Sequence, residues 1–576
     1  MAGGRLKQGT SSLLAKEEGT VTASWRGRIR IALAYPNHYR TGMSNLGFQT
    51  LYALFNEAPS FLCERVFLPD PGGEGTFAPG STPLSSLESG RPLRDFDIVA
   101  FSVSFENDYP NILAMLAGGR IPLAAGARGE EAPLILGGGI AVMLNPEPLA
   151  PFFDLFLLGE AEEMVPEFLE RYRALRAGGA TRAEILAEVQ RTVEGAYAPG
   201  CYRVHYGPGR RIDAFGPADP SFPKRVRVRH VGEIDAYRTH QVITTPETEF
   251  ADMFLAEVSR GCFRGCRFCP AGFVYRPARF RSLAALEAPL EEGLRRKGRV
   301  GLLGTAVSDH PRLAALCRRT LEAQGSFSIG SLRVDRVTGE LAGLLAAAGV
   351  EMVSLAPEAG SQRLRDVVRK GVTEEQIFRA VEHLIENGIV NLRLYFMVGL
   401  PTEEEADIDA IVDLTRRTAH HAVKTAKGTR CPRRITLSVN QFIPKPATPF
   451  QWLPLADAAL VRKRIQRIKR ALGKERSVSV IHDLPKWNYV QALLSLGDRL
   501  VGGILLAVHA NGGNWPQALK QADVNADDYV YREKDPAEIL PWDFIDCGVS
   551  REFLLEEYRK AMETATPPPA AEGKKV

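Results

Sequence analysis

Three cysteines, Cys262, Cys266 and Cys269, stand in the segment SRGCFRGCRFCPAGFVYRP at CxxxCxxC spacing. Three thiolates so spaced can hold three irons of a cubane 4Fe-4S cluster and leave the fourth without a protein ligand. An iron with an open position can chelate a small molecule and pass it an electron. A structural zinc site closes with four ligands, and no Cys or His follows Cys269 closely enough to complete one locally. A disulfide framework would need a partner for each thiol. The other cysteines, Cys63, Cys201, Cys317, Cys431 and Cys547, are scattered along the chain, which suits a reducing compartment.

The elements that hold this loop must come from a chain of 576 residues, long enough for about three or four domains. Lys plus Arg is 72 and Asp plus Glu is 68, so the net charge of +4 does not by itself imply a nucleic-acid partner. There is no secretory leader in MAGGRLKQGTSSLLAKEEGT and no run of about 20 apolar residues, so the expectation is a cytoplasmic protein without a membrane span.

Residues 1–25 and 563–576 read as polar, flexible tails. Between about 26 and 178, short apolar runs alternate with amphipathic stretches, the pattern of a doubly wound parallel α/β domain. Its strands are expected at 28–35, 96–104, 132–138 and 153–159, its helices at 44–57, 108–118 and 160–176, and the Gly/Pro/Ser-rich insert after residue 70 as a loop. Residues 179–247 read as a connector whose run KRVRVRH fits a half-exposed strand, with Arg225, Arg227 and Arg229 on a solvated face. A second α/β series over 248–450 begins at MFLAEVSRGC and has further strands expected at 299–306, 327–335, 351–358, 391–401 and 434–444, six units that fit a partial (β/α)6 barrel. The block 451–562 reads as mainly helical, and its first helix, LVRKRIQRIKRALGKER, sets a basic face opposite an apolar one. That face is read as solvated, with RNA contact the less favoured alternative.

With an aromatic residue, Phe268, before the last cysteine, the loop resembles the signature of the radical S-adenosylmethionine superfamily, and the resemblance extends over roughly 250–450. It implies a 4Fe-4S cluster on Cys262, Cys266 and Cys269, S-adenosylmethionine as cosubstrate, and an electron donor such as flavodoxin or ferredoxin. GTAVSDHP stands where many members carry a Gly-Gly-Glu-Pro type motif; Gly304 and Thr305 keep the small turn but the acidic residue is missing. SLAPEAGSQRL resembles the fourth-strand motif, which implies Glu358 at the ribose and Gly360 and Ser361 at the methionyl end. LRLYFMVGLPTE resembles the fifth-strand motif, which implies Val398 and Gly399 beside adenine. Arg333 or Arg393 is a candidate partner for the cosubstrate carboxylate, because a guanidinium matches it in two prongs.

Residues of about 28–176 resemble the cobalamin-binding domain of one class of that superfamily, through YPNHYRTGMSNLGFQTLYALF, DFDIVAFSVSFENDYPNILAML and LILGGGIAVMLNPEPLAPFFDLFLLGEAEEMVPEFLE. The small residues Ser102, Ser104, Gly137, Gly138 and Gly139 would let a bulky cofactor approach the backbone. No Asp-x-His-x-x-Gly motif is present, so a histidine ligand to cobalt is not expected, and His38 is read as a surface residue. Nearly the whole chain resembles an uncharacterised family of this class. The expected function is modification of an unactivated carbon, with methylation favoured. The alternatives are a methylthiotransferase-like RNA-modifying enzyme and a non-enzymatic cluster or corrinoid sensor.

Overall fold

The computed structural model describes residues 12–70, 83–238, 240–426 and 434–565. The outer parts of both expected tails, most of the Gly/Pro/Ser-rich insert and Cys431 lie outside them. The front domain is built on β1 (Ile29–His38), β2 (Phe61–Leu68), β3 (Ile98–Ser102), β4 (Leu134–Gly138), β5 (Leu155–Leu157) and β6 (Ala196–Tyr197). Their order is β2-β1-β3-β4-β5-β6, parallel except for the antiparallel β6. The strands are near-continuous apolar runs because both faces of the sheet are covered. Helices Leu46–Glu57 and Ala161–Ala177 cover one face through Phe48, Tyr52, Phe55, Met164, Val165 and Phe168. The chain switches direction across the sheet between β1 and β3, and above that switch the C-terminal strand ends open a crevice.

Two expectations about this domain change. Residues 12–25 are not a free tail: the Glu17 side chain is buried and receives both prongs of the Arg65 guanidinium, at 2.8 and 2.6 Å. β2 was not expected because FLCERVFL carries two charges in mid-strand. Glu64 accepts from Trp25, Ser86 and Ser89, and Arg65 also binds Glu88 at 2.7 Å. The charges are buried because each has its partners, which the pattern of apolar residues does not reveal.

The connector holds the hairpin β7 (Tyr202–Tyr206) and β8 (Ile212–Pro217), followed by β9 (Val226–Arg227). Val226 and Val228 are buried while the arginines that alternate with them face acids, Arg227 lying 3.3 Å from Glu194 and Arg229 donating to Glu167 at 2.7 Å. The barrel runs through β10 (Phe254–Arg260), with the short β11 (Arg279–Phe280) beside it, then β12 (Arg299–Gly304) and β13 (Ser326–Ile329). A bridge between Leu332 and Leu355 leads to β14 (Met352–Glu358), β15 (Asn391–Val398), β16 (Arg434–Gln441) and β17 (Val478–His482). All six expected strands form, and β17 adds a seventh parallel one from the block read as helical.

The helices that follow do not make a separate lobe. Val490, Leu493, Ile504 and Trp542 share a core with Ile112, Leu116 and Phe153 of the front domain, and Asn145 donates to the carbonyls of Ser495 and Gly497 at 3.0 and 2.7 Å. β18 (Ile545–Asp546) pairs with β9 and ties the end of the chain to the connector.

Removing one partner of a buried ion cluster leaves charge uncompensated, at a cost of about 3 kcal/mol. Glu17→Ala should therefore move the urea midpoint down by that amount, and an unchanged midpoint would return residues 12–25 to the status of a tail.

Candidate active site

The cysteine loop leaves the end of β10 and closes into the short helix Ala271–Val274. Cys266 is buried, and Cys262 and Cys269 are half-buried. The Arg264 N–H donates to Cys262 Sγ at 3.4 Å. Burial pushes the Cys269 thiol up to about 11, and Cys266, Cys262 and Glu358 add to the rise, so these four groups lie within electrostatic reach of one another. No three Cys, His, Asp or Glu side chains among the described residues converge on one point as ligands for a single ion. A cubane does not ask for that, since it carries its thiolates on separate irons.

Ion pairs fix both flanks of the loop. Arg264 donates to Asp309 at 2.5 Å and faces Asp335 at 3.4 Å. Buried Arg267 donates to the Val367 carbonyl at 2.9 Å and to Glu557 of the last helix at 3.2 Å, and Arg369 reaches the same carboxylate at 2.9 Å. Phe268 packs against the small core of Ala359, Leu364 and Val367.

The front domain is clamped over the barrel beside this loop. Glu160, after β5, receives Arg279 at 2.6 and 2.8 Å, Arg260 at 3.1 Å and the Val231 N–H at 2.9 Å. Arg260 also binds Glu162 at 2.6 Å and Glu257 at 3.0 Å. Burial would raise Glu160, but His230, Arg279 and Arg260 outweigh it and hold the carboxyl well below its usual range. Sequence reading missed this clamp: Glu160 and Glu162 are 98 to 119 residues from its arginines, and only their charge marked them.

Next to the clamp is a cavity of about 430 Å³. It is lined by Ser102, Ser104, Gly137, Gly138 and Gly139 from the front domain, by Gly304 and Thr305 from the end of β12, and by Glu160, Glu257, Ser259, Arg260 and Tyr275. Seven expected positions from two domains are thus brought to one space. Gly139, with φ of 110°, lets the chain pass close under Val103, where a Cβ would stand 2.4 Å from the carbonyl oxygen. A Cβ on Gly138 would meet only the Leu157 carbonyl at 3.6 Å and would project into the cavity. An apolar slot continues from it between the two covering helices, past Leu51, Phe55, Met164 and Val165. No histidine is among these lining residues; His38, at the end of β1, lies 3.9 Å from Asp70.

The remaining expected positions separate. Glu358 ends β14 with φ of 70°, a conformation rare outside glycine, and one of its oxygens is held by Lys370 at 2.8 Å. Arg333 donates to Asp335 at 2.9 Å and to the Lys370 carbonyl at 3.2 Å, and it acts on Cys262. Arg393 is in mid-strand on β15, five residues before the strand's end. Gly360 and Ser361 have close partners within the fold. A Cβ on Gly360 would stand 2.2 Å from Ile411 N, and Ser361 caps helix Gln362–Val367 while donating to Asp407 at 2.5 Å. Val398 is fully buried and its carbonyl accepts from Phe442 N; the Gly399 N–H donates to Glu403 at 2.7 Å, so these groups are spent within the fold. Burial pushes Glu403 up to about 7, and Arg464 binds it at 2.6 Å.

A parallel barrel whose first strand ends in a CxxxCxxC loop, capped by a doubly wound domain, defines an α/β enzyme class with a cluster site at the strand ends. The chain belongs to the radical S-adenosylmethionine superfamily: residues 256–415 match the family described as the Radical SAM superfamily, and residues 47–199 match the one described as Radical SAM proteins, N-terminal. A 4Fe-4S cluster and S-adenosylmethionine are the cofactors of that superfamily. An uncharacterised protein of Methanocaldococcus jannaschii is 28% identical over 470 residues, 81% of this chain and 88% of its own. A tRNA-2-methylthio-N(6)-dimethylallyladenosine synthase of Cereibacter sphaeroides is 24% identical over 273 residues, 45% of this chain and 56% of its own. The structure of the radical S-adenosylmethionine methyltransferase TsrM from Kitasatospora setae, with cobalamin and a [4Fe-4S] cluster bound, shares the fold at TM-score 0.51 and 14% identity, over 93% of this chain and 99% of that one. No helix among the described residues is long and apolar enough to cross a membrane.

Because the folded Glu160 value is depressed, its contribution to stability is fully present above the unfolded value of about 4.3 and is lost as pH falls through the folded one. The melting temperature of the parent should fall below about pH 4. Glu160→Gln should melt lower at pH 7 and lose less on acidification; parallel curves would remove Glu160 from the clamp.

Proposed function

We propose that the protein is a cobalamin-dependent radical S-adenosylmethionine enzyme that modifies an unactivated carbon, by methylation. The observation that carries the reading is the single cavity whose walls come from the front-domain strand ends and from the barrel mouth beside the cysteine loop. Cys262, Cys266 and Cys269 would hold the cluster, and Arg333, which acts on Cys262, would receive the cosubstrate carboxylate. Glu358 keeps one oxygen on Lys370, and its other oxygen has no hydrogen-bond partner among the described residues, which suits a ribose hydroxyl. Gly138, Ser102 and Ser104 would admit a corrinoid, with the apolar slot between the helices for a flat tail. When bound, these groups supply the electron that cleaves the sulfonium to a 5'-deoxyadenosyl radical and the methyl group to be transferred. Reduction calls for a one-electron donor such as flavodoxin or ferredoxin.

The activity named for the Cereibacter relative supports a second reading, methylthiolation of RNA. Cys63 is the only cysteine of residues 26–178 and is fully buried, so the front domain offers no ligand set for a second cluster.

Replacing Cys262, Cys266 and Cys269 by Ala should remove the brown chromophore with its iron and sulfide; a full complement in the triple variant would refute the ligand assignment. Glu358→Ala should weaken S-adenosylmethionine binding about tenfold, the worth of one charge-assisted hydrogen bond, with iron content unchanged. Corrinoid should bind on reconstitution, and the electron paramagnetic resonance of its cob(II)alamin form should show no histidine nitrogen and be the same in His38→Ala. Failure to bind any corrinoid would refute the methyl-transfer reading and leave a radical enzyme that uses S-adenosylmethionine alone.

A further inference from the structure

The wall of the barrel formed by β14 to β17 has one dry and one wet face. Along β15, Leu392, Leu394, Phe396 and Val398 are buried against the surrounding helices, while Arg393, Tyr395 and Met397 between them stay partly exposed. The second set faces the lumen, as side chains alternate along a strand. The register sorts that face into rows: Ser354, Arg393, Thr436 and Ser479 across the floor, then Tyr395, Ser438 and Ile481, then Met397 and Asn440 near the mouth. About 16 Å of strand separates the Arg393 row from the strand end, at about 3.3 Å per residue.

Arg393 is the only charge in its row. Its side chain makes no hydrogen bond or ion pair with any described residue, and its Nε is buried without a partner. A guanidinium desolvated on one side and unpaired costs free energy that an incoming anion would recover. Arg333, not Arg393, is the cation beside the cysteines, so Arg393 is left for another ligand. At the open edge of the same wall, Ile481 is 44% exposed, and Leu484 and Trp487, which follow it in the chain, are 54% and 43% exposed. An apolar lip therefore lies at the edge of a lumen with a cationic floor.

We propose that this wall binds a substrate with an anionic group and an apolar body. Arg393 takes the carboxylate or phosphate, with the hydroxyls of Ser354, Thr436 and Tyr395 around it, and Ile481, Leu484 and Trp487 carry the apolar part. The inference rests on the proposed function only for where the reacting carbon is presented, above Met397 towards the cysteine loop.

Isothermal titration of the anaerobically reconstituted full chain with octyl phosphate, octanoate and octyl glucoside, each below its micelle concentration, tests it. An anionic octyl probe should bind saturably and the neutral one should not; the tighter of the two anions identifies the head group. Arg393→Gln should weaken that binding about tenfold or more and Arg393→Lys by less. Ile481→Asp, at an exposed position, should weaken octyl phosphate and leave inorganic phosphate unaffected. Binding of neither anion, equal binding of octyl glucoside, or unchanged affinity in Arg393→Gln overturns the inference. A parent protein that forms no 5'-deoxyadenosine under strong reductant would instead overturn the proposed function and leave the binding result standing.

Discussion

The carboxylate of Glu160 is the constraint on which the two halves of the molecule depend. It is buried with three cationic or N–H partners from the barrel side and the connector, Arg279, Arg260 and the Val231 N–H. A buried carboxylate is tolerated only when its partners are in place, so the pair geometry cannot relax without a large penalty. Glu160 follows β5, Arg260 ends β10 and Arg279 lies on β11, on either side of the cysteine loop. One group thus holds three chain segments in register, and two of them, at Glu160 and Arg260, wall the cavity.

Parallel sheets place their ligand sites at C-terminal strand ends, where backbone amides are unpaired and loops can vary. Here two such sheets meet, the end of β4 opposite the end of β12. The C-terminal region stabilises that arrangement from outside. Glu557 draws Arg267 of the cysteine loop and Arg369 of the following barrel segment onto the last helix. The helices after β17 share a core with the front domain. Opening the cavity would therefore break buried polar contacts on one side and apolar packing on the other.

Much of this was legible in the sequence because the signals were local. The cysteine spacing, the apolar runs of the parallel strands and the small residues at the ends of β3 and β4 each sit within a few residues of one another. What was hidden depended on distant partners. β2 reads as polar until Glu17 and Glu88 are found around Arg65. Ser361 reads as a ligand-facing residue until Asp407, 46 positions on, takes its hydroxyl. Gly360 reads as a cosubstrate glycine, whereas its missing side chain admits the backbone of Ile411. β17 was concealed because it is an edge strand, with only moderate burial to mark it.

The two arginines that sequence alone could not tell apart differ in depth and in company. Arg333 is paired with Asp335, anchored to the Lys370 carbonyl and felt by Cys262, so its charge belongs to the mouth of the barrel. Arg393 is several residues lower, in a row whose other members, Ser354, Thr436 and Ser479, carry hydroxyls and no acid. A cation that served only packing would be expected to sit on a carboxylate, as Arg65, Arg267 and Arg279 do, or on backbone carbonyls, as Arg365 does. The strand alternation that buries Leu392 and Leu394 turns Arg393 inward, where no described side chain pairs with it, and that isolation is what the proposed anion site draws on.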